Sequence, residues 1–139
     1  MKKKPEYWYK QSSVIPFRKN EEDFEVLLIT TRKKRKWILP KGIVDIGLTP
    51  KQSAVKEALE EAGIKGKLIP QKLLNYSYKK WGGKCDVEVF GLEVKIILDE
   101  WEESFRARKW VQLNEAEKFV HDPKILELLN NLFNELNRN

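Results

Sequence analysis

The chain has 139 residues, of which 41% are hydrophobic and 35% charged, and its formal net charge is +6. Its size is that of one ordinary domain, and its apolar content is too high for a disordered chain. We therefore expect a single domain over residues 1–139. The positive charge favours anionic partners, such as phosphorylated metabolites, nucleic acid or an acidic membrane surface, without choosing among them.

The cysteine content and the lengths of the apolar runs indicate the cellular compartment of the protein. Cys85 is the only cysteine, so no intrachain disulfide can form and a zinc site built from several cysteines is excluded. No apolar stretch follows the basic amino terminus, and no run of roughly 18 apolar residues occurs. We expect a cytoplasmic protein without a signal peptide or a membrane span.

Alternating apolar residues and polar turns indicate five strands. These are predicted at residues 12–17, 24–31, 73–78, 85–97 and 110–113. A polar turn at residues 20–23 joins the first two strands, and a turn containing Gly82 and Gly83 joins the next two. A short apolar segment, residues 37–39, precedes the first helix.

The clearest helix of the first half is predicted at residues 50–62. Thr49 is a suitable N-cap and forms a capping box with Gln52, while Pro50 suits the first helical position. Gly63 provides a left-handed stop. The apolar face at helical spacing consists of Ala54, Val55, Ala58, Leu59 and Ala62.

The carboxyl-terminal part is predicted to be helical. Asn114 is expected to cap a short helix, and Asp122 followed by Pro123 begins the last one. The core-packing stripe of that helix is Ile125, Leu128, Leu129, Leu132, Phe133 and Leu136. The order of strands, helix, strands and helix predicts an α/β fold, with a mixed sheet between helices.

Three carboxylates define the candidate site. Glu57, Glu60 and Glu61 occupy positions i, i+3 and i+4 of the predicted helix and share an arc of roughly 100°. They repel one another unless a cation lies among them, and oxygen-only clusters suit Mg²⁺ or Mn²⁺. By itself, the same pattern is also typical of a solvated helix face.

The segment around this helix resembles the Nudix box, which reads Gly, five residues, Glu, seven residues, then Arg-Glu-apolar-any-Glu-Glu-any-Gly-apolar. The matching residues, without a gap, are Gly42, Glu57, Ala58, Glu60, Glu61, Gly63 and Ile64. Two positions depart from the pattern. Leu48 replaces a Glu, and Lys56 replaces an Arg and lacks its planar fork.

Segments outside the box, at residues 26–29, 37–42, 99–103, 109–111 and 114–116, resemble the diphosphoinositol-polyphosphate and diadenosine-polyphosphate hydrolase branch of the family. The resemblance implies an α/β/α sandwich and a hydrolase that cleaves a phosphoanhydride linkage in a polyphosphorylated small molecule. Glu57, Glu61 and the Gly42 carbonyl would ligate Mg²⁺ or Mn²⁺. Glu60 would act as the general base or as a further metal ligand, with Glu57 also catalytic.

Basic residues near the box are candidates for substrate binding. Residues 32–36 are five consecutive cations, and Arg106, Arg108 and Lys109 form another group. Arg grips phosphate through paired hydrogen bonds, and Lys adds point charge. The residues predicted to bind substrate are Lys10, Arg18, Arg32, Lys36 and Lys41. For Lys33 and Lys34, a solvated hairpin tip is an equally good interpretation.

Several alternatives stay open at this point. One is a housecleaning nucleoside-triphosphate pyrophosphatase, and another is a non-catalytic Nudix domain that senses a phosphorylated ligand, suggested by Leu48 and Lys56. An RNA-binding protein is less favoured, because residues 32–36 lack the interleaved aromatic side chains of single-strand binders. Tyr76, Tyr78 and Trp81 could stack on a base, although packing on the sheet is favoured. The protein is expected to be a monomer or homodimer.

Overall fold

The structure is a computed structural model that describes residues 3–34 and 36–138. Its strands are β1 (Lys10–Asn20), β2 (Asp23–Thr30), β3 (Trp37–Ile38), β4 (Lys41–Ile43), β5 (Ile64–Lys80), β6 (Gly83–Ile97) and β7 (Arg108–Gln112). Its helices are α1 (Pro50–Glu57), which runs directly into a π-helix (Ala58–Ala62), and α2 (Pro123–Leu136). Two 3₁₀ helices cover Glu6–Tyr9 and Leu113–Lys118.

The strands form one mixed sheet, as the sequence predicts. Its order is β3-β2-β1-β6-β5, with β4 added to β1 and β7 added to β2. The β1–β6 pair is parallel, and the other pairs are antiparallel. Strand β1 divides one edge between two partners, since β4 pairs with residues 11–13 and β2 with residues 17–20. This division places β4, which carries Gly42, beside the start of β1.

Each face of the sheet has its own core and its own helix, which makes the predicted α/β/α sandwich. Successive β1 side chains point to opposite faces, so Val14 packs with α1 and Ile15 packs with α2. The α1 side buries Ala54, Ala58 and Ala62 against the sheet, and the α2 side buries Leu128, Leu129 and Leu132. Among the described helices, none is long and apolar enough to cross a membrane.

Several predicted boundaries need correction. Strand β5 has 17 residues, whereas only residues 73–78 were predicted. Its register against β6 shifts near Gly66 and on both sides of Lys72, and such bulges interrupt the alternation on which the prediction depends. Asn114 is not a cap, because the 3₁₀ helix begins one residue earlier, after Gln112, without a side-chain cap.

The predicted helix at residues 50–62 is helical throughout, with a change of type near its end. The capping box of Thr49 and Gln52 is present, and Gly63 has a left-handed φ of 65°. The last turn is a π-helix rather than the predicted α-helix. The predicted apolar face was wrong for Val55, which is 40% exposed, because the helix packs through its alanines.

Gly63 combines a left-handed backbone with a close neighbour. A Cβ at this position would lie 2.7 Å from Trp101, whereas a Cβ at Gly47, which also has a positive φ, would meet nothing within 4 Å. A left-handed conformation costs a non-glycine residue roughly 1–2 kcal/mol. We expect Gly63→Ala to lower the free energy of unfolding by more than Gly47→Ala does, because it adds a clash. Equal losses in chemical denaturation would contradict this expectation.

Candidate active site

Two of the three predicted carboxylates are buried side by side. Glu57 and Glu61 are each about nine-tenths buried, at the flank of the alanine face that packs on the sheet. The Glu57 carboxyl group occupies the space where a side chain at position 42 would lie, since a Cβ there would be 2.1 Å from its Cδ. Gly42 is therefore required for the carboxylate of Glu57 to reach this position.

Glu61 is held from three directions. The backbone N–H of Lys41 donates to its Oε1 at 3.1 Å, and the Arg106 guanidinium lies 3.9 Å from its Oε2. The indole N–H of Trp101 donates to its backbone carbonyl at 3.0 Å. This carbonyl belongs to the π-helical turn, so Trp101 fixes the turn that carries the carboxylate.

Arg106 is itself buried and saturated with partners. It contacts Glu103 through two nitrogens, at 2.9 and 3.0 Å, and donates to the Thr30 carbonyl at 2.8 Å. Arg108 donates to the carbonyls of Ala62 and Leu98 and stacks on Trp101 at 3.8 Å. Both arginines are among the cations that the sequence offers as candidates for phosphate binding, but these contacts make them supports for the end of the helix.

Glu60 faces a different neighbour. Lys56 forms ion pairs with Glu60 at 3.0 Å and with Asp45 at 3.1 Å. Lys56 stands where the Nudix pattern has Arg, and Asp45 supplies a carboxylate on the loop where Leu48 does not. Of the three predicted carboxylates, the structure therefore brings two together and pairs the third with a lysine.

Burial and proximity change the acidity of this pair. Burial raises the pKa of Glu57 to about 8, with further contributions from Glu61 and Glu60. Burial also raises the pKa of Glu61 to about 7, although the Lys41 N–H and Arg106 oppose this rise. Two buried carboxylates cannot both ionise cheaply without a positive neighbour. The pair therefore attracts either a proton or a cation.

The donor set fits a hard divalent cation. Among the described residues, no three acidic, histidine or cysteine side chains converge as a complete metal site. Mg²⁺ does not need one, because it usually binds through one or two carboxylates and takes waters and substrate phosphates as its other ligands. Glu57 and Glu61 supply two carboxylates, and the Gly42 carbonyl oxygen is the further ligand that the resemblance to the Nudix box predicts.

A cavity opens from Glu61 toward the α2 side. Its volume is about 260 Å³, and its polar lining consists of Ser13, Lys41, Glu61, Tyr76, Arg106 and Asp122. A second cavity of about 700 Å³ shares Ile38, Asp122 and Ile125 with the first, so the two adjoin. Lys36, Lys118 and His121 also line the second cavity. An anionic molecule that reaches Glu61 would pass lysine side chains.

The predicted substrate-binding cations are distributed unevenly. Lys41 and Lys36 line the two cavities, and Lys10 is exposed at the start of β1, beside β4. Arg32 lies over the Phe105 ring at 5.0 Å, and Arg35 lies outside the described residues.

Arg18 is placed elsewhere. It pairs with Glu25 at 2.7 Å and stacks on Trp110 at 3.9 Å. Ser12 is the residue of β1 that pairs with Gly42, and Arg18 lies six residues further, roughly 20 Å along the strand. The structure therefore does not bring Arg18 to the carboxylates.

Sequence reasoning missed the residues that hold the site together. Asp45, Trp101 and Glu103 come from loops whose spacing gives no periodic signal, and their contacts depend on how the chain folds. Ser13 and Tyr76 lie within predicted strands, but only the relation of β1 to β5 through β6 places both at one cavity. The run at residues 99–103 was noticed only through its likeness to relatives.

The chain is similar in sequence and in fold to known proteins of one family. The NUDIX domain family matches residues 10–132. Diphosphoinositol polyphosphate phosphohydrolase 3-alpha of Mus musculus is 35% identical over 133 residues, covering 92% of this chain and 80% of the mouse protein. The Homo sapiens protein of the same name is 34% identical with the same coverage. A crystal structure of C. elegans Ap4A hydrolase has a TM-score of 0.76 and 25% identity, covering 91% of this chain and 97% of that one.

The chain belongs to the Nudix family, as the box predicts, and it is a phosphoanhydride hydrolase of that family. Dependence on a divalent metal is general in the family. The prediction of an enzyme is thus confirmed. The residues assigned to individual roles stay predictions.

The raised pKa values predict a pH-dependent stability. Both groups have folded-state values above 4.5, the ordinary value for Glu. Between about pH 4.5 and 8 the folded protein therefore binds more protons than the unfolded chain, and the free energy of unfolding falls as pH rises. With chelator present, we expect a higher Tm near pH 5 than near pH 8. Glu57→Gln should remove much of the difference.

Divalent cation provides the control for this effect. Because a cation competes with the proton for the same carboxylates, Mg²⁺ should raise the Tm more near pH 8 than near pH 5. Identical pH profiles for the original protein and Glu57→Gln would rule out the buried pair as the source of the dependence.

Proposed function

We propose that this protein is a Mg²⁺- or Mn²⁺-dependent hydrolase of polyphosphorylated small molecules, with diphosphoinositol polyphosphates as the first substrate class. In this proposal, Glu57, Glu61 and the Gly42 carbonyl would hold the metal ion. Glu60 would serve as the general base or as a ligand to an additional ion. Lys36 and Lys41 would bind the substrate phosphates, with Lys10 and Arg32 at the periphery.

The observation that carries this proposal is a buried carboxylate pair of which one member, Glu61, lines a cavity together with Lys41. When bound, the divalent cation neutralises the charge of the diphosphate bridge and polarises its P–O bonds. The chain supplies the rest. Lys41 reaches the cavity beside Glu61, where its positive charge can orient a phosphate, and Glu60, one residue before Glu61, can accept a proton from the attacking water.

The surroundings of Lys41 affect its charge. Burial lowers the pKa of this lysine, and the nearby Lys80 lowers it further, while Glu61 and Asp122 oppose the change. The net effect is a lowered pKa, which the two carboxylates limit. An arriving phosphate would add negative charge and favour the ammonium ion.

The substrate class draws support from relatives and from charge. The Mus musculus and Homo sapiens relatives are named as diphosphoinositol polyphosphate phosphohydrolases, and a net charge of +6 suits a ligand with many phosphates. One observation favours dinucleoside polyphosphates as a second candidate. Trp37 and Phe119 line the larger cavity, and their rings could stack on a base. The C. elegans neighbour is named an Ap4A hydrolase.

The catalytic assignment predicts different effects for two glutamates. Glu60→Gln should retain the Mg²⁺-induced rise in Tm and lose about 10²–10⁴-fold in kcat, as expected for a missing general base. Glu57→Gln should reduce both the Mg²⁺-induced rise in Tm and kcat. The control is Glu127→Gln, an exposed carboxylate on α2, which should change neither. Undiminished turnover in Glu60→Gln would show that Glu60 is not the general base.

A substrate panel separates the candidate functions. The panel contains a diphosphoinositol polyphosphate, a dinucleoside tetraphosphate and an oxidised nucleoside triphosphate, each with Mg²⁺. We expect the highest kcat/KM for the diphosphoinositol compound, and Lys41→Gln should raise KM more than it lowers kcat. Preference for the triphosphate would instead support the housecleaning pyrophosphatase. The cytoplasmic location and the oligomeric state stay predictions.

A further inference from the structure

The hairpin that joins β5 and β6 forms a further cavity, separate from the two described above and lined by lysines. Its volume is about 880 Å³, and its lining residues are Ser77, Tyr78, Lys79, Lys80, Trp81, Gly82, Gly83, Lys84 and Lys124. Four of these described residues are lysines and none is acidic. An exposed carboxylate, Asp86, lies outside the lining and approaches Lys84 at 3.8 Å. Four ammonium groups around one cavity favour an anionic occupant.

An aromatic group occupies the same hairpin tip. Trp81 contacts Trp8 with ring centroids 5.2 Å apart and Tyr9 with centroids 6.0 Å apart, both at steep interplanar angles. The Tyr9 hydroxyl donates to the Trp81 carbonyl at 2.6 Å. The 3₁₀ helix Glu6–Tyr9 thereby holds the Trp81 ring in a fixed orientation beside the lysines.

The backbone at Trp81 is unusual for such a large residue. Lys80 pairs with Gly83, so Trp81 and Gly82 form a two-residue turn, and both have positive φ, 54° and 70°. A turn with positive φ at both central positions favours Asn-Gly or Gly-Gly. A tryptophan there is a strained choice, which the edge contacts with Trp8 and Tyr9 help to maintain.

We propose that this hairpin tip binds single-stranded nucleic acid. A base stacks on the Trp81 indole, and the neighbouring phosphates contact Lys80 and Lys84. The Lys80 ammonium lies over one face of the Trp81 ring, 4.5 Å from its centroid. In this proposal the base stacks on the opposite face, and the ammonium is within reach of a neighbouring phosphate. A cation-lined groove with a stacking ring is the arrangement that binds single strands with little sequence preference.

This site goes beyond the proposed hydrolase function, because it does not include the buried carboxylates. Residues 32–36, the basic run that disfavours RNA binding at the sequence level, lack interleaved aromatic residues. The fold instead brings Trp8 and Tyr9 from the amino-terminal region to Trp81 and to lysines of the hairpin. Lys124, from the start of α2, reaches the same cavity and donates to the Ser77 carbonyl.

The experiment measures binding of a fluorescent oligouridylate, roughly 8–10 nucleotides long, by anisotropy with chelator present. Trp81→Asn should weaken binding by about 5- to 150-fold, the range for loss of one stacking ring. Asn suits the turn, so the hairpin is retained, and circular dichroism checks the fold. Trp81→Phe should recover most of the affinity. Equal affinity for the original protein and Trp81→Asn overturns the proposal.

The lysines are tested by the salt dependence. Lys80→Gln with Lys84→Gln should reduce the slope of log affinity against log salt by roughly 1.4, for two lost phosphate contacts. The matched control is Lys65→Gln with Lys67→Gln, two exposed lysines at the opposite end of β5, which should leave the slope unchanged. An unchanged slope in the hairpin variant also overturns the proposal.

Two further measurements separate this site from its alternatives. Glu57→Gln should bind the oligonucleotide as tightly as the original protein, so loss of hydrolysis and loss of nucleic-acid binding can be told apart. Inositol hexakisphosphate tests charge alone. Because this compound also suits the proposed hydrolase site, its binding to the hairpin is measured as the affinity lost in Lys80→Gln with Lys84→Gln. If that loss equals the loss for the oligonucleotide and Trp81→Asn changes neither affinity, the hairpin is a general polyanion surface and the nucleic-acid proposal fails.

Discussion

Two carboxyl groups held together out of water are the constraint on which this structure depends. Removing a carboxylate from water is costly unless it is neutralised or hydrogen-bonded, and Glu57 and Glu61 share the same buried place. The surrounding features reduce this cost. Gly42 leaves space for one carboxyl group, the Lys41 N–H donates to the other, and Arg106 contributes positive charge. The negative charge that these groups do not neutralise favours binding of a cation.

The helix that carries the pair is built for this arrangement. Its sheet-facing side uses Ala54, Ala58 and Ala62, so the helix backbone can lie close to the sheet and bring the flanking carboxylates into the interior. Its last turn widens into a π-helix, a distortion that often accompanies functional sites. Trp101 and Arg108 contact carbonyls of this turn and stabilise it.

Much of the architecture could be predicted from sequence, and the limits have physical causes. Thr49, Gln52 and Gly63 act through local backbone geometry, so the start and end of the helix were readable. Gly42, Glu57 and Glu61 were readable because their spacing is fixed by the box. The pairing of Glu60 with Lys56, and the displacement of Arg18 to the far end of β1, depend on side-chain directions and on strand register. The length of β5 was hidden because bulges break its alternation.

The Asp45–Lys56–Glu60 contacts have a consequence for exchanging segments between relatives. Because Lys56 links the loop to the helix through Asp45, positions 45 and 56 act as one unit. Transplanting the helix alone into a relative with Glu at position 48 would leave its lysine facing a different set of charges. Chimeras of this family should therefore move the loop and the helix together, with the cut made in β4 rather than at Thr49.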